Sequence, residues 1–332
     1  MPKNITYLIG AGASANALPV VSDFFKNLKA FYDSICSGEF ANSKRVIKML
    51  DGSDSEYTIP NVLSMLNTRL DKIRPELGES SIDTLAKRYF LKKEYSNLRA
   101  LKLILSFYFV CEQLIKPPDY RYDVFYASLL NQNLEIPNNV KILSWNYDSQ
   151  FEIAYSKYKQ INNVSSIQNN LSTDSKNSSR NLFQPKIFKI NGEANFSKTS
   201  PFYNYYNDFD VDTLSEILRN FLPLLISNNQ DNHDDLNLSY SWENLAGGFY
   251  DKIDNLCTET EILVVIGYSY PFFNRVLDNR ILYAMKNLEK IVIQDRNPDS
   301  VKERIDSFIE SRRGIKLIPK SQCEQFHIPN EL

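Results

Sequence analysis

Apolar residues in this chain fall into short unbroken runs that alternate with longer stripes of helical period. Ile5 to Ile9 is such a run, and Gly10-Ala11-Gly12-Ala13-Ser14 breaks it at once, which predicts a buried strand feeding a glycine turn. Val140 to Ser144, Lys186 to Ile190, Glu261 to Ile266, Lys290 to Gln294 and Ile315 to Ile318 are further predicted strands. Phe24, Leu28, Phe31 and Ile35 share one stripe of a helix over 22–35, with Ser22 at its N-cap. Residues 37–60 are polar and irregular. From Asn61 to Lys116 the pattern is helical, its last helix starting near Leu98 and stopped by Pro117-Pro118. Tyr120 to Asn133, Val211 to Ser227 with a kink at Pro223, Arg275 to Leu288, and Asp299 to Ser311 complete the helices. Residues 161–181 are rich in Asn and Ser with little apolar pattern, which predicts a flexible loop.

Strands alternating with helices predict an α/β fold: a Rossmann-like parallel sheet with helices on both faces. The chain reads as one domain over 1–332, with 61–135 as an inserted helical layer. In such a sheet, ligands sit beyond the carboxyl ends of the strands. Five polar or glycine segments lie there: Gly10 to Ser14, Ser144 to Asp148, Asn191-Gly192, Gly267 to Ser269, and Asp295-Arg296-Asn297. Each alone reads equally well as a turn or a helix cap. Together they describe one rim. Gly10 and Gly12 lack a Cβ, so phosphate oxygens can approach the main chain, and a following helix turns its N–H groups toward the same anion.

Gly10-Ala-Gly12-Ala-Ser-Ala15 also fits the glycine turn of a dehydrogenase. That scheme needs an acidic residue at the tip of the second strand. Asp33 stands at the right distance but falls on a helix, so the scheme fails at its second requirement.

Charge and cysteine content narrow the classes. Acidic and basic residues nearly balance, 40 against 38, for a formal charge of -2. No basic face for nucleic acid emerges; Arg312, Arg313, Lys316 and Lys320 read as solvated surface. Cys36, Cys111, Cys257 and Cys323 are dispersed without a Cys-x-x-Cys pair, which argues against a zinc ribbon or a disulfide framework and for reduced thiols in the cytoplasm. Lys3, the short apolar run and Ala13-Ser14-Ala15 resemble a secretory signal. The run is interrupted by Gly10 and Gly12, however, and the strand reading is preferred. Leu103 to Cys111 is too short to span a bilayer.

Gly10 to Ser14 followed by Ala17-Leu18-Pro19, then Trp145-Asn146-Tyr147-Asp148, Lys189-Ile190-Asn191-Gly192, and Ile266-Gly267-Tyr268-Ser269-Tyr270-Pro271, resembles the sirtuin-like domain of bacterial NAD-consuming anti-phage defence proteins. The resemblance covers the strands at both ends of the chain and spares the middle helices. It implies NAD+ as substrate or ligand, with Gly10, Ala11, Gly12, Ser14, Gly267 and Ser269 at the phosphates and adenosine ribose. Ala13, Gly192 and Tyr268 in the same segments, with Asp295 and Asn297, extend the expected binding set. Asn146 falls at the nicotinamide ribose and Asp148 at the nicotinamide end. The family's catalytic His falls at Asn191, which cannot act as a base. Glu193 and Asp23 are candidate substitutes. His233 and His327 stand outside any motif and read as structural. No metal is expected. The implied activity is NAD+ glycohydrolysis, with a catalytically inactive NAD+ or ADP-ribose sensor as the alternative. The resemblance further implies self-association or a separate sensor or ATPase protein, and no membrane.

Overall fold

Residue alternation within the strands sets the layers. In β1 (Ile5–Ile9), Ile5, Tyr7 and Ile9 enter one hydrophobic cluster and Leu8 the opposite one. A computed structural model of the chain describes residues 2–19, 24–48, 56–76, 81–161, 163–176, 182–195, 209–227, 236–243, 248–309 and 314–332. A 3₁₀ turn (Ala11–Ser14) follows β1 and precedes α1 (Phe24–Ile35) and the short α2 (Gly38–Ala41). β2 (Val46–Lys48) and β3 (Glu56–Thr58) form a separate antiparallel pair. Four helices come next: α3 (Ile59–Ile73), α4 (Ile82–Leu91), α5 (Tyr95–Ile115) and α6 (Tyr120–Leu129). Then follow β4 (Val140–Ser144), α7 (Gln150–Lys159), α8 (Val164–Asn170), β5 (Thr173–Ser175), β6 (Ile187–Lys189), α9 (Val211–Ile226) and α10 (Phe249–Cys257). β7 (Ile262–Ile266), α11 (Arg275–Ala284), β8 (Lys290–Gln294), α12 (Pro298–Ile309) and β9 (Lys316–Lys320) end the order.

The main sheet has seven strands in the order β5-β6-β4-β1-β7-β8-β9, and every pairing in it is parallel. Residues of α3 to α9 share the cluster that holds Ile5, Tyr7 and Ile9, while residues of α10 to α12 share the one that holds Leu8. The chain is thus a Rossmann-like α/β protein, as the alternating pattern predicts. Its path runs from β1 outward on the β4 side, then crosses back to β7 on the other side of β1. Register makes the crossing functional: Ile9 lies opposite both Ser144 and Ile266, so Gly10, Trp145 and Gly267 leave the sheet at one level.

The helices of 61–135 form a layer on one face. α5 is its spine, buried from Leu98 to Gln113 and apolar over most of that length. Arg99 and Arg69 donate to the Leu224 and Leu225 carbonyls, satisfying acceptors that the end of α9 leaves open. Lys102 of α5 and Glu243 pair at 2.5 Å with both side chains fully buried.

Two expectations are corrected. Part of the segment expected to be a flexible loop, 161–181, is ordered structure: it carries α8 and the edge strand β5. Val164, Ile167 and Leu171 repeat at helical spacing and are buried, and the Asn163 side chain caps the helix by accepting the Ser166 N–H at 3.0 Å. Residues 162 and 177–181 lie outside the described residues. Within 37–60, which read as irregular, α2 and the β2–β3 pair are formed. Ser22, the expected N-cap, lies outside the described residues.

Candidate functional site

A cavity of about 400 Å³ opens at the carboxyl ends of the central strands, where the chain reverses direction across the sheet. Ala11 and Ser14 reach it from the turn after β1, Trp145 to Asp148 from β4, Asn191 from β6, and Gly267 to Ser269 from β7. Ser81, Ile82 and Asp83 at the start of α4, Phe109 of α5, and Pro271, Phe273 and Asn274 close it. Both its position and its mostly apolar wall with few polar groups are those of a small-molecule site.

The glycine turn is built differently from the expectation. A Cβ on Gly10 would lie 2.6 Å from the Gly267 carbonyl oxygen, and one on Gly12 would lie 2.8 Å from the Gly267 Cα. The turns after β1 and β7 therefore pack backbone against backbone, and glycine serves that contact. The Gly10 N–H donates to the Ile266 carbonyl, Gly12 to Gly267, and Ala13 to Gly10. The amide of Ala11, on the cavity wall, has no partner among the described residues. The buried Arg121 guanidinium donates to the Gly12 and Ala13 carbonyls and pairs with Asp119 at 2.6 Å, so it holds the turn from behind.

Asn146, Ser14 and Asp148 form one chain of hydrogen bonds. Asn146 Nδ2 donates to Ser14 Oγ at 3.2 Å, and Ser14 Oγ donates to Asp148 Oδ2 at 2.7 Å. The Gln150 backbone N–H meets Asp148 Oδ1 at 3.1 Å. Burial raises the Asp148 pKa above the usual carboxylate value; the Ser14 hydroxyl, the Gln150 amide and the nearby Lys189 charge oppose that rise. Lys189 Nζ reaches the Asp148 carbonyl at 2.9 Å and Glu152 at 2.7 Å beneath the cavity floor.

Trp145 and Tyr268 stack at 5.2 Å between ring centroids, and the Tyr268 hydroxyl donates to the buried Asp278 at 3.0 Å. The buried Trp145 Nε1 has no partner among the described residues. Across the cavity, Asp83 in the first turn of α4 accepts the Tyr147 hydroxyl at 2.8 Å. Asp83 lines the cavity and is half-buried. Crowding by surrounding atoms raises its pKa, although the Tyr147 hydroxyl and its own backbone N–H pull the other way.

The expected residues thus separate into two groups. Ala11, Ser14, Asn146, Asp148, Asn191, Gly267, Tyr268 and Ser269 line the cavity. Gly10, Gly12 and Ala13 lie behind that wall. Gly192 does not line it: at φ +69° its Cα packs on the Asn237 carbonyl, where any Cβ would clash. Asp295 and Asn297 do not line it either; the Asp295 side chain accepts the Asn297 N–H in a turn leading into α12. Glu193 is buried under the site, with Gln168 Nε2 donating to it at 2.7 Å, and so does not reach the cavity. Asn191 lines the cavity, but its amide is engaged by backbone: Nδ2 donates to the Trp145 carbonyl and Oδ1 accepts the Ser241 N–H. Asp23 and His233 lie outside the described residues. His327 lines a separate groove near the end of the chain, where burial and the charges of Lys320 and Lys290 lower its pKa to about 4.

Asp83 was missed. Ser81 before Ile82-Asp83 is an N-cap signal followed by an acidic first turn, which marks the helix start but not what the start faces. Among the described residues, no group of three or more His, Cys, Asp or Glu side chains is set to hold a metal, and no helix is long and apolar enough to cross a membrane. No protein-family model matches the chain, and no curated protein matches it in sequence.

Proposed function

We propose that this protein is an NAD+ glycohydrolase, releasing nicotinamide and leaving ADP-ribose. One observation carries the reading: Ala11, Asn146, Asp148 and the Gly267–Ser269 loop, distant in sequence, meet on one cavity at the reversal point of the sheet. A dinucleotide offers a group for each. Phosphate oxygens suit the Ala11 amide, and planar rings suit Phe109, Trp145 and Phe273. The Asn146 amide donates to Ser14, which leaves its carbonyl oxygen for a ribose hydroxyl.

Cleavage breaks the C1′–nitrogen bond; the electron pair stays on nicotinamide, which leaves neutral, and positive charge develops on the sugar. Asp148, held by Ser14 and the Gln150 amide, supplies negative charge beside that centre. Water then adds at C1′. By the resemblance of its motifs, the protein acts in the cytoplasm as an anti-phage effector that depletes NAD+, working as an oligomer or with a separate sensor or ATPase protein.

The engaged amide of Asn191 favours a second reading, in which the cavity holds NAD+ or ADP-ribose without turnover and serves as a sensor. Purified protein incubated with NAD+ separates the two. Nicotinamide release that falls at least about 100-fold in Asn146→Ala, the scale of losing one preorganised hydrogen bond at a reacting centre, supports the hydrolase. ADP-ribose binding by calorimetry without any nicotinamide release supports the sensor.

A further inference from the structure

Among the described residues no imidazole lines the cavity wall, and a hydrolase needs a group to receive the proton of the attacking water. We infer that Asp83 is that general base, a role that rests on the hydrolase reading above. Among the described residues, two carboxyls line the cavity, Asp83 and Asp148. Each Asp148 oxygen already accepts a donor, Ser14 Oγ at one and the Gln150 amide at the other. Asp83 accepts the Tyr147 hydroxyl at Oδ1 besides its own backbone N–H, and Tyr147 stands between Asn146 and Asp148. That bond ties the carboxyl of α4 to the loop that carries the proposed sugar-binding and charge-stabilising groups.

Position and chemistry agree. The Asp83 backbone is fixed by α4, whose N-cap Ser81 accepts the Thr84 N–H at 3.2 Å, so the carboxyl is held rather than mobile. Burial brings its pKa upward from the ordinary carboxylate range, nearer to a neutral working pH, where a base is most effective. The titratable groups facing it are Tyr147, Tyr240 and, in the same cavity, Asp148; burial holds both phenols protonated. The step balances: the C1′–nitrogen pair departs with nicotinamide, and the water oxygen then bonds to C1′. One water proton passes to the Asp83 carboxylate and then to solvent, so the products are nicotinamide and ADP-ribose.

The test measures nicotinamide release against pH for wild type, Asp83→Asn and Tyr147→Phe, with ADP-ribose binding as the check on folding. Asp83→Asn is expected to lower kcat by about 100-fold or more, with ADP-ribose still bound and only the acid limb set by Asp148 remaining. In Tyr147→Phe the carboxyl loses a donor that stabilises its ionised form, so the acid limb moves to higher pH. An Asp83→Asn enzyme that keeps the wild-type rate, or a Tyr147→Phe profile whose acid limb stays in place, overturns the role of Asp83 alone. Wild-type protein that binds ADP-ribose and releases no nicotinamide overturns the hydrolase reading and this inference with it.

Discussion

Gly267 sits at φ +60°, and a Cβ there would overlap the Ala13 amide nitrogen and the Gly12 backbone. Both the conformation and the space demand glycine. Gly267→Ala should therefore lower stability by more than about 2 kcal/mol, seen as a drop in the urea midpoint, because two packed backbones must part. A midpoint within error of wild type would mean that the turns after β1 and β7 do not touch. The glycines at 10, 12 and 267 were legible as turn residues from their place after strands. Their neighbour was not: a glycine that admits a phosphate and one that admits another main chain look alike in sequence. Asn146 and Asp148 were singled out by the resemblance, because polar residues after a strand read equally well as a turn or a helix cap; both line the cavity.

Helix α8 shows where composition misleads about an element. Residues 161–181 carry many Asn and Ser, yet Val164, Ile167 and Leu171 are buried and Gln168 donates to Glu152 and Glu193. Three apolar residues suffice for a helix of this length when the surrounding molecule supplies the other wall. Because the helix is short, its cap matters. Asn163→Ala removes the acceptor for the Ser166 N–H and should cost about 1 kcal/mol, with faster amide exchange at Val164 to Ser166. Unchanged exchange there would show that burial alone holds α8. The edge strand β5 was missed because Thr173–Ser175 contains no apolar residue. Asp174 carries it instead, pairing with Lys252 of α10 at 2.7 Å and accepting the Leu182 amide, contacts that no local pattern announces.

Asp278 belongs to α11 but acts through the core it enters: it is almost wholly buried and accepts the Tyr268 hydroxyl, and burial raises its pKa well above the ordinary value. A carboxyl held more strongly by protons in the native state contributes stability that is full below its unfolded pKa, about 4, and lost as pH rises through the folded value. Asp278→Asn keeps an acceptor for Tyr268 and cannot ionise. Its urea midpoint relative to wild type should rise as pH increases from 4 to 8; a difference independent of pH would contradict the burial argument. Strand runs, helical stripes and their alternation already require a parallel sheet with helices on both faces, because those features are properties of neighbouring residues along one chain. Which loops share a rim follows from strand order and register, and so does the meeting of Asp83 with Tyr147. These are relations between segments far apart in sequence, formed only when buried faces close on one another.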